Sequence, residues 1–425
     1  MRTSDLTRRR AIKTSAAALA APAFLAAQNA GSEIRAAIIG VGGRGTQLMK
    51  EFSKIPLVEV AALVDPDGNR AEEAAGWVRQ NNGNRPKTTA DMRTVFDDKE
   101  IDAVLVATTN HWHALTAVWA MQAGKDVYCE KPVSHNVFEG QQLIAAARKY
   151  DRIVQGGTQR RSSGKFRRAM QLIHDDKIGD VYLAKWIFPR ERDSIGVKPV
   201  EEPPNWLNWD LWLGPAPEQP FHRNLVHYNW HWFWDFGNGE LGNNGIHLVD
   251  ISRWGVEKEL PVKVSSWGGR WGYQDQAETP NTQIVNWEYD DGTAIVGEIR
   301  NLYTTERMFW DFFGTKGHLH IQSNGDFEIR MGRNKELEPS VEPLPDINHY
   351  QNFAEAVRSR DRSKLNAEIR ETALSTALCH LGNIAYRMGE QLEFDPQAER
   401  FIDHEGANKL LRRDYRAPYV VPDDV

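Results

Sequence analysis

The sequence predicts two domains: an α/β domain built by strand–helix alternation, then an α+β domain of short strands, turns and a few longer helices. Three observations carry this. A G-x-G-x-x-G run follows a short apolar strand near residue 40, β/α alternation continues from it to about residue 156, and beyond that point the alternation stops. The 425 residues exceed what one ordinary domain needs, and a 41% hydrophobic share is enough to build cores. A net charge of −6 supplies no basic stripe for nucleic acid, and two cysteines make no disulfide framework. No apolar run long enough to span a membrane occurs after the first thirty positions.

Residues 1–30 read as an address. Thr7 precedes Arg8-Arg9-Arg10-Ala11-Ile12-Lys13, and an Ala-rich stretch follows to about residue 27, with small residues at Ala21-Pro22-Ala23. These are the parts of an export signal, and the paired arginines resemble the twin-arginine type. A short amphipathic helix or a disordered tail is the alternative. The first reading places the mature protein in the periplasm or another extracytoplasmic space.

The first domain is expected over residues 31–156. Residues 34–39 form a buried strand profile, then comes Gly40-Val41-Gly42-Gly43-Arg44-Gly45, a helix over 46–54 and a second strand over 58–64 that ends at Asp65. This is a dinucleotide-binding fingerprint. Gly40 allows the tight turn, Gly42 lets the backbone approach a pyrophosphate, Gly45 allows close helix–strand packing, and the helix amino end favours phosphate. Asp65 can accept from a ribose hydroxyl, which favours NAD; Arg44 and Arg70 leave NADP open. Further strands are expected at 103–107, 126–129 and 152–155, and helices at 115–123 and 137–149. Ligands bind at the carboxyl ends of such strands. The predicted cofactor set is therefore Gly40, Gly42, Gly43, Arg44, Gly45 and Asp65, with Thr108, Asn110, His113, Glu130 and Lys131 from the later strand ends. The second domain, 157–425, is expected to hold strands at 181–188, 262–267, 282–289, 293–299, 308–314 and 318–321, with a hairpin turn at Asp290-Asp291-Gly292.

The glycine motif, Asn110-His111-Trp112-His113, Cys129-Glu130-Lys131-Pro132, the stretch from Gly239 through Asn243 and His247 to Asp250, and Leu381-Gly382-Asn383 together resemble the Gfo/Idh/MocA oxidoreductases, a family that includes glucose–fructose oxidoreductase and inositol dehydrogenase. The resemblance implies a Rossmann domain and an α+β domain with an open, mostly antiparallel sheet that often forms an oligomer interface, hence a homo-oligomer. The C-terminal segment is left free to pack back on the Rossmann domain. It also implies roles. Lys131 matches a lysine that hydrogen-bonds substrate beside the nicotinamide, and His247 matches a proton acceptor and donor. The carboxylate that stands four residues before that histidine in the family is Asn243 here; an i, i+4 pair lies on one helix face, so Asn243 can hydrogen-bond the substrate or orient His247 but cannot act as a base.

Hydride transfer from a carbinol needs a group for the hydroxyl proton and a partner for the developing oxyanion. Lys131, His247 and Asn243 are the catalytic candidates. Gln159, Arg160 and Trp230 join Asn243 and His247 as substrate candidates, with Arg161 and Lys165 beside them. His111 and His113 invite a metal pair with His231 or His247, but the spacing supports no third ligand and the chemistry requires none. Of the fifteen tryptophans, six (Trp206, Trp209, Trp212, Trp230, Trp232 and Trp234) crowd just before His247. Aromatic faces cover sugar C–H faces, so the cluster is expected to make some sugar contact as well as core.

Outside the cytoplasm no free nicotinamide pool exists, so an exported enzyme needs a tightly held cofactor regenerated in place. The sequence-based reading is an NAD(P)-dependent oxidoreductase acting on a sugar, cyclitol or glycoside hydroxyl. The alternatives are an NAD-dependent glycoside hydrolase working by oxidation, elimination and re-reduction, and a sugar-binding protein with a vestigial nucleotide domain.

Overall fold

A computed structural model describes residues 33–425; the export-signal reading falls on residues outside that range. Six strands form the first sheet: β1 (Ile34–Ile39), β2 (Val58–Val64), β3 (Lys87–Thr89), β4 (Ala103–Val106), β5 (Asp126–Cys129) and β6 (Val154–Gly156). Their order is β3-β2-β1-β4-β5-β6, and every neighbouring pair is parallel. This is the doubly wound dinucleotide-binding order, with its ligand crevice where β1 and β4 diverge. Both faces must be covered by helices, which is why β4 and β5 are buried along their whole length.

The helix after β2, Gly68–Asn82, carries no strong apolar signal. Its buried stripe is mostly alanine (Ala71, Ala74, Ala75, with Val78), and Asp67 caps it by accepting from the Asn69 and Arg70 amides. The helix after β4 runs Asn110–Gln122, five residues earlier than the sequence pattern places it. Thr109 is extended at the N-cap, so Asn110-His111-Trp112-His113 is a buried first turn rather than a loop.

The second sheet has ten strands: β7 (Val181–Pro189), β8 (Lys263–Gly269), β9 (Thr282–Glu288), β10 (Ala294–Arg300), β11 (Phe309–Gly314), β12 (Gly317–Gln322), β13 (Phe327–Met331), β14 (Glu336–Leu337), β15 (Leu392–Asp395) and β16 (Arg400–Phe401). Their order is β14-β13-β12-β11-β7-β10-β9-β8-β15-β16. Only β7 and β10 pair in parallel; the other neighbours are antiparallel. One face packs against the helices Gly164–His174, Ile246–Val256 and Ile369–Met388. Trp186, Trp287 and Trp310 are fully buried there, the first two with ring centroids 6.4 Å apart. Gly297 on β10 has no room for a side chain, because a Cβ would stand 2.1 Å from the Trp186 ring.

The chain then returns to the first domain. Phe353, Ala354, Ala356 and Val357 of helix His349–Ser359 share a core with β1, β2 and the Gly43–Phe52 helix. Tyr419, Val421 and Val425 of the C-terminal segment join the core on the sheet's other face. Among the described residues no helix is long and apolar enough to cross a membrane.

Candidate active site

The glycine motif builds a turn that tolerates no side chain at two positions. Gly40 has φ +83°, and a Cβ there would meet the Ala107 carbonyl oxygen at 2.6 Å; at Gly45 a Cβ would lie 1.7 Å from the Gly40 carbonyl oxygen. These contacts join β1, β4 and the first helix. Gly43 faces open space, and at Gly42 only the Arg70 guanidinium approaches, at 2.7 Å. Asp65 directly follows β2 and holds the turn: one carboxylate oxygen accepts from the Val41 amide at 2.9 Å, the other from the Asp67 amide at 2.9 Å. Burial raises its pKa to about 6, against those two amides and the Arg70 charge.

These residues open on a cavity of about 540 Å³ that runs along the carboxyl ends of the strands to Lys131. Gly40, Gly42, Gly43, Arg44, Asp65, Thr108, Asn110, His113, Glu130, Lys131, Trp230 and Asn243 all line it. A dinucleotide fits: the phosphate end is free of side chains at Gly43, Asp65 and Arg70 sit at the ribose end, and Lys131 stands at the far end. Gly45 lies beneath the turn and does its work by packing.

Arg44 and Glu130 line the wall but are bound to each other. Arg44 Nε donates to Glu130 Oε1 at 2.8 Å, and its Nη2 also reaches the Tyr350 hydroxyl at 3.0 Å. Burial alone would pull the guanidinium down, but the Glu130 charge and the nearby tyrosines hold its pKa above the ordinary value. Of the two arginines considered for an extra cofactor phosphate, Arg44 is thus committed elsewhere, and Arg70 is the one over the glycine turn.

His113 acts as a brace. Its Nδ1 lies 2.6 Å from the Pro132 carbonyl oxygen and its Nε2 3.1 Å from that of Thr108. Burial keeps its pKa low, so the ring has one N–H, and the shorter contact assigns it to Nδ1. The ring thereby ties the helix Asn110–Gln122 to the turn that presents Lys131. His111 points elsewhere, with Nε2 at 3.2 Å from the Trp212 carbonyl oxygen.

Lys131 donates from Nζ to the Asn243 main-chain oxygen at 2.5 Å. Its pKa is lowered, chiefly by burial. Asn243 does not share an α-helical face with His247, as an i, i+4 reading of the sequence expects. Residues Leu241–Gly245 form a π turn, and the α-helix begins at Ile246. That wider turn aims the Asn243 carbonyl at Lys131. Asn243 Nδ2 and His247 Nδ1 are both buried without a hydrogen-bond partner. Burial and the charges of Lys131, Arg160 and Arg44 push the His247 pKa well down, so the ring is neutral.

The remaining candidates separate from the cavity. Gln159, Arg160 and His247 do not line it; Arg160 donates to the Ser323 carbonyl oxygen at 3.0 Å and lies 5.0 Å from the Trp310 ring. Burial lowers its pKa to about 10. Arg161 forms a buried ion pair with Asp250 at 2.8 Å, which anchors the His247 helix. Of the six clustered tryptophans, Trp212 and Trp230 line the cavity. Three of the rest build the loop's own core: Trp232 packs with Leu207, Leu213, Phe221, Phe233 and Phe236, with Trp206 and Trp209 against them, while Trp234 lies against Tyr386 and Arg387. The loop crosses the cleft because its backbone is stitched to the first domain. Gly68 N donates to the Trp206 oxygen at 3.0 Å and Asn208 N to the Pro66 oxygen at 2.8 Å. From the other side, the Tyr419 hydroxyl donates to Asp210 at 2.8 Å, and Arg416 Nε to the Gly214 oxygen at 2.9 Å. Sequence reasoning misses Arg190, His227, Tyr228, Asn244 and Tyr419 as lining residues. Only Tyr228 and Asn244 had a signal, as neighbours of Trp230 and Asn243.

Residues 34–158 match a family model described as "Oxidoreductase family, NAD-binding Rossmann fold", and residues 185–421 one described as "Oxidoreductase family, C-terminal alpha/beta domain". The chain belongs to the Gfo/Idh/MocA oxidoreductase family. Within it, the chain is 29% identical to inositol 2-dehydrogenase 3 of Saccharopolyspora erythraea, over 36% of this chain and 44% of that protein. It is 26% identical to 2,7-anhydro-N-acetylneuraminate hydratase of Mediterraneibacter gnavus, over 67% of this chain and 66% of that one. The alignments thus span less than half the length of several of these curated relatives. The solved structure of levoglucosan dehydrogenase with NADH superposes with a TM-score of 0.66 at 15% identity, covering 85% of this chain and 99% of that one. For this Gfo/Idh/MocA member, that likeness is one of fold.

Proposed function

We propose that the protein transfers hydride between a hydroxyl of a sugar, cyclitol or glycoside and a nicotinamide cofactor held in the cleft, with NAD favoured over NADP. The observation that carries the reading is the meeting of two walls at Lys131. One wall is the glycine turn with Asp65. The other is the π turn of the second domain, whose Asn243 carbonyl holds Lys131 Nζ at 2.5 Å. Bound nicotinamide supplies the hydride acceptor or donor. Lys131, with its proton loosened by burial, hydrogen-bonds the carbinol oxygen and takes or returns the hydroxyl proton at Nζ. Asn243 Nδ2, unpartnered on a cavity-lining residue, offers a donor for a neighbouring hydroxyl, and neutral His247 stands outside the cavity lining with Nδ1 unpartnered. Trp230 and Trp212 give the apolar surface that a sugar ring needs. Relatives named for inositol and levoglucosan support this substrate class.

We further propose export by the twin-arginine route with the cofactor already resident. The loop stitched over the cleft at Pro66 and Gly68 supports retention. A relative named as a hydratase, matched over two thirds of each chain, supports a second reading in which the nicotinamide undergoes no net change and a glycosidic bond is cleaved. The test begins with purified full-length protein, denatured and assayed for released nicotinamide; protein taken before export that contains none contradicts a resident cofactor. Intact protein is then incubated with free sugars, cyclitols and aryl glycosides. Reduction seen in the near-ultraviolet without aglycone release supports the dehydrogenase. Aglycone release without net reduction supports the glycosidase. Neither signal on any member of the panel contradicts both.

A further inference from the structure

Behind the inner end of the cavity lies a buried ionic network that the proposed chemistry does not use. Glu240 is buried, and its Oε1 accepts from Arg192 Nη2 at 2.9 Å and from the side-chain amide of Asn244. Asn244 lines the cavity and directly follows Asn243, whose carbonyl holds Lys131. The Glu240–Asn244 bond spans the π turn end to end, and such a turn is held by its tertiary contacts rather than by backbone preference. The second Glu240 oxygen lies 3.9 Å from His231 Nε2, and neither atom has a hydrogen-bond partner. His231 Nδ1 faces the Tyr228 carbonyl oxygen at 2.8 Å, so it carries the ring proton and Nε2 presents a lone pair. Burial holds His231 at about 4, so the ring does not neutralise the carboxylate. Burial alone would raise Glu240, but the Arg192 charge and the hydrogen bonds from Arg192 and Asn244 bring it below the ordinary value.

We propose that Glu240 is a positioning residue for Lys131: through Asn244 it fixes the turn that presents the Asn243 carbonyl to the Lys131 amine. The inference rests on the reading of Lys131 as the group facing substrate. The groups around Lys131 come from several elements. Burial opposes its charge most, Glu130 and Glu240 favour the charge, and Arg44 and Arg192 oppose it. His113, His231 and His247 are held neutral by burial, and the Cys379 thiol is held protonated. Removing the Glu240 charge leaves Glu130 facing two guanidiniums.

The test follows the Lys131 side chain by NMR of lysine-labelled full-length protein, its resonance assigned by its loss in Lys131→Ala. In Glu240→Gln that resonance is expected to titrate at lower pH than in the parent protein. Turnover, where a substrate is in hand, is expected to fall about tenfold with the pH limb of Lys131 moving the same way. Glu240→Asp keeps the charge but withdraws it from Asn244; it is expected to keep the titration and lose turnover, and it stands in if the glutamine variant does not fold. A Lys131 titration unchanged in Glu240→Gln, or full turnover in Glu240→Asp, overturns the proposal. Full turnover in Lys131→Ala instead removes the functional reading beneath it.

Discussion

The two walls of the cavity are built on different principles. The Rossmann wall is made largely of backbone: a glycine turn with no room for a side chain at Gly40 and Gly45, and amides fixed by Asp65. The second-domain wall is made of side chains carried on a π turn and a tryptophan-rich loop, held by contacts from distant parts of the chain. The first kind of wall is set by local sequence, and the second by tertiary packing. Changes to the first should therefore act on fold and cofactor together, and changes to the second on substrate and turnover with the fold intact.

The largest expected effect tests the backbone wall. Gly45→Val places a side chain where even a Cβ lies 1.7 Å from the Gly40 oxygen. The expected outcome is loss of nicotinamide binding together with loss of soluble folded protein, read by circular dichroism and by cofactor titration. A folded Gly45→Val protein that binds cofactor would show that the turn adapts and that the contrast between the walls is overstated. Lys131→Ala comes next, at the seam. Turnover is expected to fall by roughly a hundredfold or more with the fold unchanged, and the check is steady-state kinetics beside a thermal melt.

The tryptophans sharpen the comparison within the second domain. Trp186→Ala removes a fully buried ring stacked on Trp287, and a loss of about 3–5 kcal/mol of stability is expected. Trp230→Ala, at the cavity, is expected to cost about 1 kcal/mol or less of stability and to raise KM for a sugar substrate several-fold. Denaturant unfolding and KM measured on both variants separate the roles. A KM unchanged in Trp230→Ala confines the cluster to packing.

This contrast also explains what was legible in the sequence. Gly40, Gly42, Asp65 and Lys131 sit at fixed spacings from strand ends, so period and motif locate them on one cleft. The strands β7 to β12 were legible from alternation and turn residues, and their boundaries move by only one or two positions. The helix Gly68–Asn82 was not, because alanines make its buried stripe and the apolar period is faint. The π turn at Leu241–Gly245 was not, because an i, i+4 spacing presumes α geometry. Gln159 and Arg160 follow the domain crossover in sequence, but the chain folds Arg160 onto Trp310, away from the cleft. Tyr419 reaches the cavity wall from the far end of the chain, and no local pattern announces such a contact.

The smallest expected effect returns to the backbone wall, where Asp65 does two jobs with opposite pH dependence. Its carboxyl is raised to about 6, mainly by burial, with the Asp67 and Val41 amides and Arg70 opposing. A raised carboxyl binds its proton more tightly in the folded protein than in the unfolded chain. Its stabilising contribution is therefore complete below about pH 4 and is lost as pH rises through about 6. A ribose hydroxyl, by contrast, donates to the charged form, so NAD affinity should weaken as pH falls through about 6. Between about pH 8 and 5 the expected weakening is up to about tenfold, while the apo protein loses less stability than its other carboxylates predict. Asp65→Asn should flatten both trends at the cost of a weaker complex at neutral pH. The check is a set of thermal melts with and without NAD across that range. An NAD affinity independent of pH in the parent protein would leave Asp65 as the anchor of the Val41 amide alone, and would make the backbone wall structural from end to end.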